Sequence, residues 1–224
     1  MLFLLKTMKS EYLESTIKMG RFCFNHPSAF NKWEDKEAAQ YDKWDSHLSK
    51  QITNVHVFPI TGYKDDGCPI YGAGIKMTDS ALLHLQSGVA KHSPICCFRA
   101  IMSDEVSFEK EECVYDLGDD AKRIRDEFGH DAYVMILANP FLERIKQRVG
   151  CYSGLVVYKD VLNQFPQPIS EEHKEIVEQL FRKDERFSWQ KEFRIVLAPT
   201  NESPVFLEIG SIENIAKSGM LSEL

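Results

Sequence analysis

Apolar and polar positions along this chain change period often, and the changes divide it into short elements. The opening run Leu2 to Lys6 is apolar and predicts a first β-strand. Ser10 and Glu11 predict a short helix start, with Tyr12, Leu13, Thr16 and Ile17 on one side and Gly20 as its stop. Arg21 to Asn25 predicts a second strand, followed by the turn His26-Pro27-Ser28. Lys32 to Lys50 is polar, contains Trp33 and Trp44, and predicts a helix or an ordered loop. Val55 to Ile60 is a β-branched strand signal, Lys64-Asp65-Asp66-Gly67 a turn, and Ile70 to Met77 a further strand. Thr78 or Asp79 then predicts a capped helix through Gln86.

The second half alternates in the same irregular way. Ile95 to Met102 predicts a strand, Asp119 to Phe128 an amphipathic helix, and Tyr133 to Leu137 a strand. Asn139-Pro140 predicts a helix start, Asn as cap and Pro in the first turn, with the helix ending at Gly150. Tyr152 to Tyr158 predicts a strand, Ser170 a helix start, and Phe187 to Leu197 the longest strand. Val205 to Ile209 is the last strand signal, and Ser211 caps a closing helix. No repeated βαβ unit with a glycine-rich first turn occurs, which argues against a dinucleotide-binding parallel sheet. The expectation is a single α+β domain over residues 1–224, built on one mixed, mainly antiparallel sheet with flanking short helices.

Composition narrows the function classes. The chain has 224 residues, 43% hydrophobic and 27% charged, enough for one sizeable core. Its net charge of -7 opposes contact with a phosphate backbone and disfavours nucleic-acid binding. The acidic excess gathers between Asp104 and Asp120, where Glu109, Glu111 and Glu112 form the densest stretch, a candidate docking surface for a basic protein partner. No run approaches the roughly 20 apolar residues of a membrane span. The opening run lacks a basic n-region and a cleavage site, so a cytoplasmic location is expected. The six cysteines follow no zinc or redox spacing and read as reduced thiols; adjacent Cys96 and Cys97 should face opposite sides of their strand. Tyr71-Gly72-Ala73-Gly74 lacks the rest of a phosphate loop, and no histidine pair has metal-ligand spacing.

The candidate chemistry lies in Phe187 to Leu197. With period two, Phe187, Trp189, Phe193, Ile195 and Leu197 share one face, and Ser188, Gln190, Glu192 and Arg194 the other. That polar face either lines a cleft, carries a paired network, or lies open on the sheet surface. Arg99, inside an apolar strand, needs a carboxylate, carbonyls or a ligand phosphate.

Three segments together resemble an uncharacterised family of small bacterial and phage proteins, some of them found near defence genes. The segments are Gly20 to Asn31, with Pro27-Ser28-Ala29-Phe30-Asn31 as the most distinctive part, Tyr152 to Tyr158, and Trp189 to Arg194 with Glu192-x-Arg194. That family is similar in turn to mono-ADP-ribosyltransferases. The resemblance implies a conflict protein that binds a host or phage protein partner. Its alternative implication is an NAD-consuming, ADP-ribosyltransferase-like enzyme and fold. Glu192 would then be the catalytic carboxylate and Gln190 its helper. Lys6, Thr7, Arg99, Tyr152 and Arg194 would contact the NAD cofactor or another nucleotide.

Overall fold

The apolar opening run becomes the middle of a sheet. The computed structural model describes residues 1–30, 48–85, 88–109, 112–160 and 178–224. Its first half runs β1 (Phe3–Met8), α1 (Leu13–Met19), β2 (Arg21–Phe24), α2 (Pro27–Phe30), β3 (Leu48–Val57), β4 (Ile60–Tyr63), β5 (Pro69–Tyr71), β6 (Ile75–Leu85) and α3 (Gly88–His92). Then come β7 (Ile95–Ile101), β8 (Ser107–Glu109), β9 (Glu112–Val114), α4 (Asp119–Phe128), β10 (Ala132–Leu137) and α5 (Ala138–Arg148). The chain continues through β11 (Cys151–Leu155), β12 (Val157–Lys159), β13 (Arg182–Asp184), β14 (Glu192–Leu197), β15 (Val205–Glu208) and β16 (Ala216–Met220).

The main sheet has six strands in the order β11-β14-β7-β1-β10-β16, and every neighbouring pair is antiparallel. The protein is thus α+β, with a mainly antiparallel sheet and few, short helices. No helix among the described residues is long and apolar enough to cross a membrane.

Side-chain alternation gives this sheet two different faces. Leu4, Met8, Phe98, Ile136 and Ile195 project to one side, where α5 and β2 bring Phe141, Ile145, Phe22 and Phe24. The rings of Phe22, Phe98 and Phe141 meet edge to face or tilted, with centroids 5.0 to 5.8 Å apart. On the other side Leu5, Ile101 and Tyr133 pack under Ala121 and Ile124 of α4. Farther along that side, Ile95 and Val196 meet Ala90 of α3 and Leu180. Cys96 belongs to the first face and Cys97 lies opposite, as the alternation requires.

Several local signals yield to sheet pairing. The residues after Thr78 do not form a helix: β6 continues to Leu85, paired with β3 from Val57↔Ile75 to Leu48↔Leu85 with one irregularity between Val55 and His56. Ladder bonds to a ten-residue partner outweigh a single capping signal. Ser211 caps no helix, because the chain turns there and forms β16, an edge of the main sheet. In α5 the helix begins at Ala138 with Leu137 at the cap, so Asn139 and Pro140 lie inside the first turn. The Ser10 hydroxyl and amide bind the Asp131 carboxylate, at 2.8 and 2.6 Å, rather than capping α1. The strand expected from Phe187 begins only at Glu192, since Glu185–Gln190 is a 3-10 helix and Lys191 has φ of 45°. That break removes Phe187 and Trp189 from the face shared by Phe193, Ile195 and Leu197. The Trp33 and Trp44 segment, and the helix expected from Ser170, lie outside the described residues.

Gly20 closes α1 as expected, with φ of +59°. A Cβ there would lie 2.2 Å from the Gly210 carbonyl oxygen. Gly20→Ala should therefore cost about 2–4 kcal/mol, from left-handed strain plus the clash. Urea unfolding checks this, and an unchanged midpoint would contradict the close packing of α1 on the 209–210 turn.

Candidate ligand site in the sheet fork

β1 and β7 are neighbours for only part of their length. They pair at Phe3↔Ile101, Leu4↔Ala100 and Leu5↔Arg99, and then part. β1 goes on beside β10 as far as Met8↔Ala132. The other end of β7 stays with β14 through Val196↔Ile95. The two strands are thus drawn apart by their outer partners. A cavity of about 270 Å³ occupies the fork. Because the ladder is open there, residues from both faces of the sheet reach one space.

On the β1 limb, Lys6 spans the gap. Its Nζ donates to the Cys97 carbonyl at 2.8 Å and lies 5.5 Å from the centroid of the Phe98 ring. The side chain thereby meets a backbone acceptor that a continued ladder would have met with an amide. Lys6 sits deep in the protein yet keeps some accessible surface, because it lines the cavity. Burial works against its charge. Cys96, Cys97, Cys23 and Glu192 work for it, and the balance lies above the ordinary lysine value. Burial holds those thiols protonated at neutral pH, so the Cys97 carbonyl and Glu192 are the groups that matter there. Among the described residues no carboxylate stands within ion-pair distance of Lys6.

Next to Lys6, the Thr7 hydroxyl and His130 Nδ1 share a hydrogen bond of 2.8 Å. Burial, reinforced by the Lys6 charge, pushes the His130 imidazole down to about 4, so the ring is neutral at pH 7. His130 stacks on Phe128 with centroids 5.7 Å apart and planes 23° apart.

On the β14 limb, Glu192 is 5% exposed and both its oxygens are held. Arg194 Nε donates to Oε1 at 2.6 Å and Lys183 Nζ to Oε2 at 3.0 Å. Lys183 also donates to Gln190 Oε1 at 2.8 Å, and Arg194 to the Leu180 carbonyl at 2.7 Å. The Glu192 amide donates to the Tyr158 hydroxyl at 2.8 Å, a phenol that burial pushes far up. Burial alone would raise the Glu192 carboxyl. Arg194 and Lys183 overcome it and hold the group far below the usual carboxylate range. Glu192 is thus held directly by Lys183 and Arg194, while Lys6 stands on the other limb with no ion pair among the described residues.

The expected site residues separate into two groups. Glu192, Gln190, Lys6, Thr7 and Arg99 all line the cavity. Arg99 is already bound on every side: Nη2 to Asp120 at 2.8 Å, Nη1 to the Trp189 carbonyl at 2.9 Å and Nε to the Tyr115 hydroxyl at 3.0 Å. Arg194 is wholly buried behind Glu192 and is not in the lining. Tyr152 lies exposed on β11, at the edge of the sheet and outside the lining. Glu109 and Glu112 are backbone register partners in the β8–β9 pairing, and Glu111 lies outside the described residues.

Sequence reasoning missed Lys183, His130, Phe128 and Cys97. A lysine in a three-residue strand and a lone histidine after Gly129 carry no spacing signal. Only the folded register brings them to the fork.

Comparison of this chain with protein-family models, curated proteins and solved structures found no match.

Two predictions come from these groups. Glu192→Gln removes the carboxylate charge that Lys183 and Arg194 both contact, and should destabilise the protein by about 3 kcal/mol or more in chemical denaturation. A variant as stable as wild type would contradict the ion-paired arrangement. The His130 imidazole has a folded value of about 4 against an ordinary 6.5. Its contribution is therefore complete above 6.5 and is lost as pH falls toward 4. Between pH 7 and 5 this should remove on the order of 1 kcal/mol, given its partial exposure. His130→Asn should flatten that part of the stability–pH curve, and an unchanged curve would show that His130 titrates normally.

Proposed function

We propose that this protein binds a small anionic ligand in the fork between β1 and β7, with Lys6 as the counter-charge. The observation that carries this reading is a deep ammonium, at a cavity wall, with no carboxylate partner among the described residues. A cation in low-dielectric surroundings gains more from an incoming anion than an exposed one does. Glu192 does not cancel it, because Arg194 and Lys183 already hold both of its oxygens. A nucleotide phosphate or a carboxylate meets the chemistry of this limb.

The transferase-like alternative asks Glu192 to steady a developing oxocarbenium cation. A carboxylate neutralised by two cations, with a third nearby, is poorly placed for that work. The volume of 270 Å³ also falls just below the roughly 300–1,000 Å³ of pockets for drug-sized ligands. That is small for a whole NAD and suits a fragment of one, or a smaller anion.

Docking of a basic protein partner is a second reading, supported by exposed Asp104, Asp116 and Asp119. The same stretch gives up Asp120 to Arg99 and Glu105 to Lys191. Its test is charge reversal at Glu111 and Glu112: a basic partner that lets go, while fork variants still hold it, supports docking.

For the fork, titration calorimetry with inorganic phosphate, AMP and benzoate is the direct test. At least one should bind, and Lys6→Met should weaken binding about tenfold or more. No binding by any of the three anions, or unchanged affinity in Lys6→Met, overturns the reading. Nicotinamide release from NAD that is lost in Glu192→Gln would favour the transferase instead.

A further inference from the structure

The fork carries the Lys6 charge on one limb, but another part of its wall is aromatic. Phe128, at the end of α4, and Trp189, in the 3-10 helix before β14, both line it, with ring centroids 6.2 Å apart. His130 continues this wall through its stack on Phe128, and its ring is neutral. Leu5 and Ile124 complete the apolar part. The Trp189 Nε1–H is buried without a partner among the described residues, an unmet donor in a lining residue. Arg123 sits 4.0 Å from the Trp189 ring centroid and steadies the indole by a cation–π contact. Thus one small cavity offers a charge at Lys6 and a set of π-faces beside it.

Resting on the anion reading above, we infer that the ligand is a planar aromatic or heteroaromatic ring that carries its own anionic group. The ring lies along Phe128 and Trp189, and the anionic group meets Lys6 beside the Thr7–His130 pair. A neutral imidazole there can accept or donate a hydrogen bond without adding charge. A flat ring suits this wall better than a puckered one of equal charge, because aromatic partners add specific ring contacts to the burial of area. The anionic group can be a carboxylate on the ring or a nucleotide phosphate, and the two sources share this chemistry.

The experiment is calorimetric titration of the full chain with matched probes. Benzoate is compared with cyclohexanecarboxylate, equal in charge but puckered, and with neutral benzamide; AMP is compared with ribose 5-phosphate. Benzoate or AMP should bind about tenfold more tightly than its ring-free or puckered partner, and benzamide more weakly than benzoate. Whichever of the two shows the larger preference identifies the anionic group. Phe128→Leu, kept only if its melting curve shows a folded protein, should lose the ring preference and retain weak anion binding. Lys6→Met should lose both. Equal affinity for ringed and ring-free anions overturns this inference and leaves the anion reading standing. Benzamide binding as tightly as benzoate overturns it as well. Failure of every anion overturns both.

Discussion

A carboxylate on a central strand can stay charged only if cations reach it, and Glu192 is reached from two directions. Arg194 comes from two residues along the same strand. Lys183 comes from β13, which pairs with β12 rather than with the main sheet. The ion pair thereby ties β13 to β14 and, through Lys183, to Gln190 at the end of the 3-10 helix that carries Trp189. The same requirement decides the site's electrostatics. Both oxygens are held by cations of their own limb, so Glu192 favours the charge on Lys6 only from a distance, and Lys6 makes no ion pair among the described residues.

The fork depends on a second constraint, the competition of β10 and β14 for the two central strands. β1 follows β10 and β7 follows β14, so their shared ladder stops after three pairs. A gap inside a sheet leaves backbone groups unmet, and these cost free energy unless something replaces the ladder. Lys6 does so at the Cys97 carbonyl. The lysine is thus both a strut across the opening and the charge that gives the opening a chemical preference. An anion entering the fork would find that strut already in place.

Much of the scaffold was readable because its signals were local. The strands around Leu4, Phe98 and Val134, the helix Asp119–Phe128 and the Gly20 stop each follow from their own few residues. Glu192 was legible as a charged residue in an apolar strand, where such a group needs a reason, whereas Lys6 and Thr7 came only from the resemblance to ADP-ribosyltransferases. The strand β6 was not legible, since a capping signal at Thr78 competed with a partner strand earlier in the chain, where Thr78 pairs with Val55. The break at Lys191 had a trace in sequence, a lysine where the apolar face of Phe187, Trp189 and Phe193 should continue, and its positive φ marks the turn. Lys183, His130 and Phe128 could not be found, because each joins the site through long-range register alone. Tyr152 shows the converse: it matches a motif in sequence and stands at the sheet edge in space.

The ionisation of Glu192 tests this account most directly. Carbon-detected NMR of its side-chain carboxyl, followed from pH 7 down to the acid limit of the folded protein, reads the charge itself. The account predicts a resonance that stays in its ionised position through the range around 4.5 where an unperturbed glutamate takes up its proton. A Glu192 signal that titrates at or above that value would mean that Arg194 and Lys183 do not hold the acid, and that it is free for chemistry of its own.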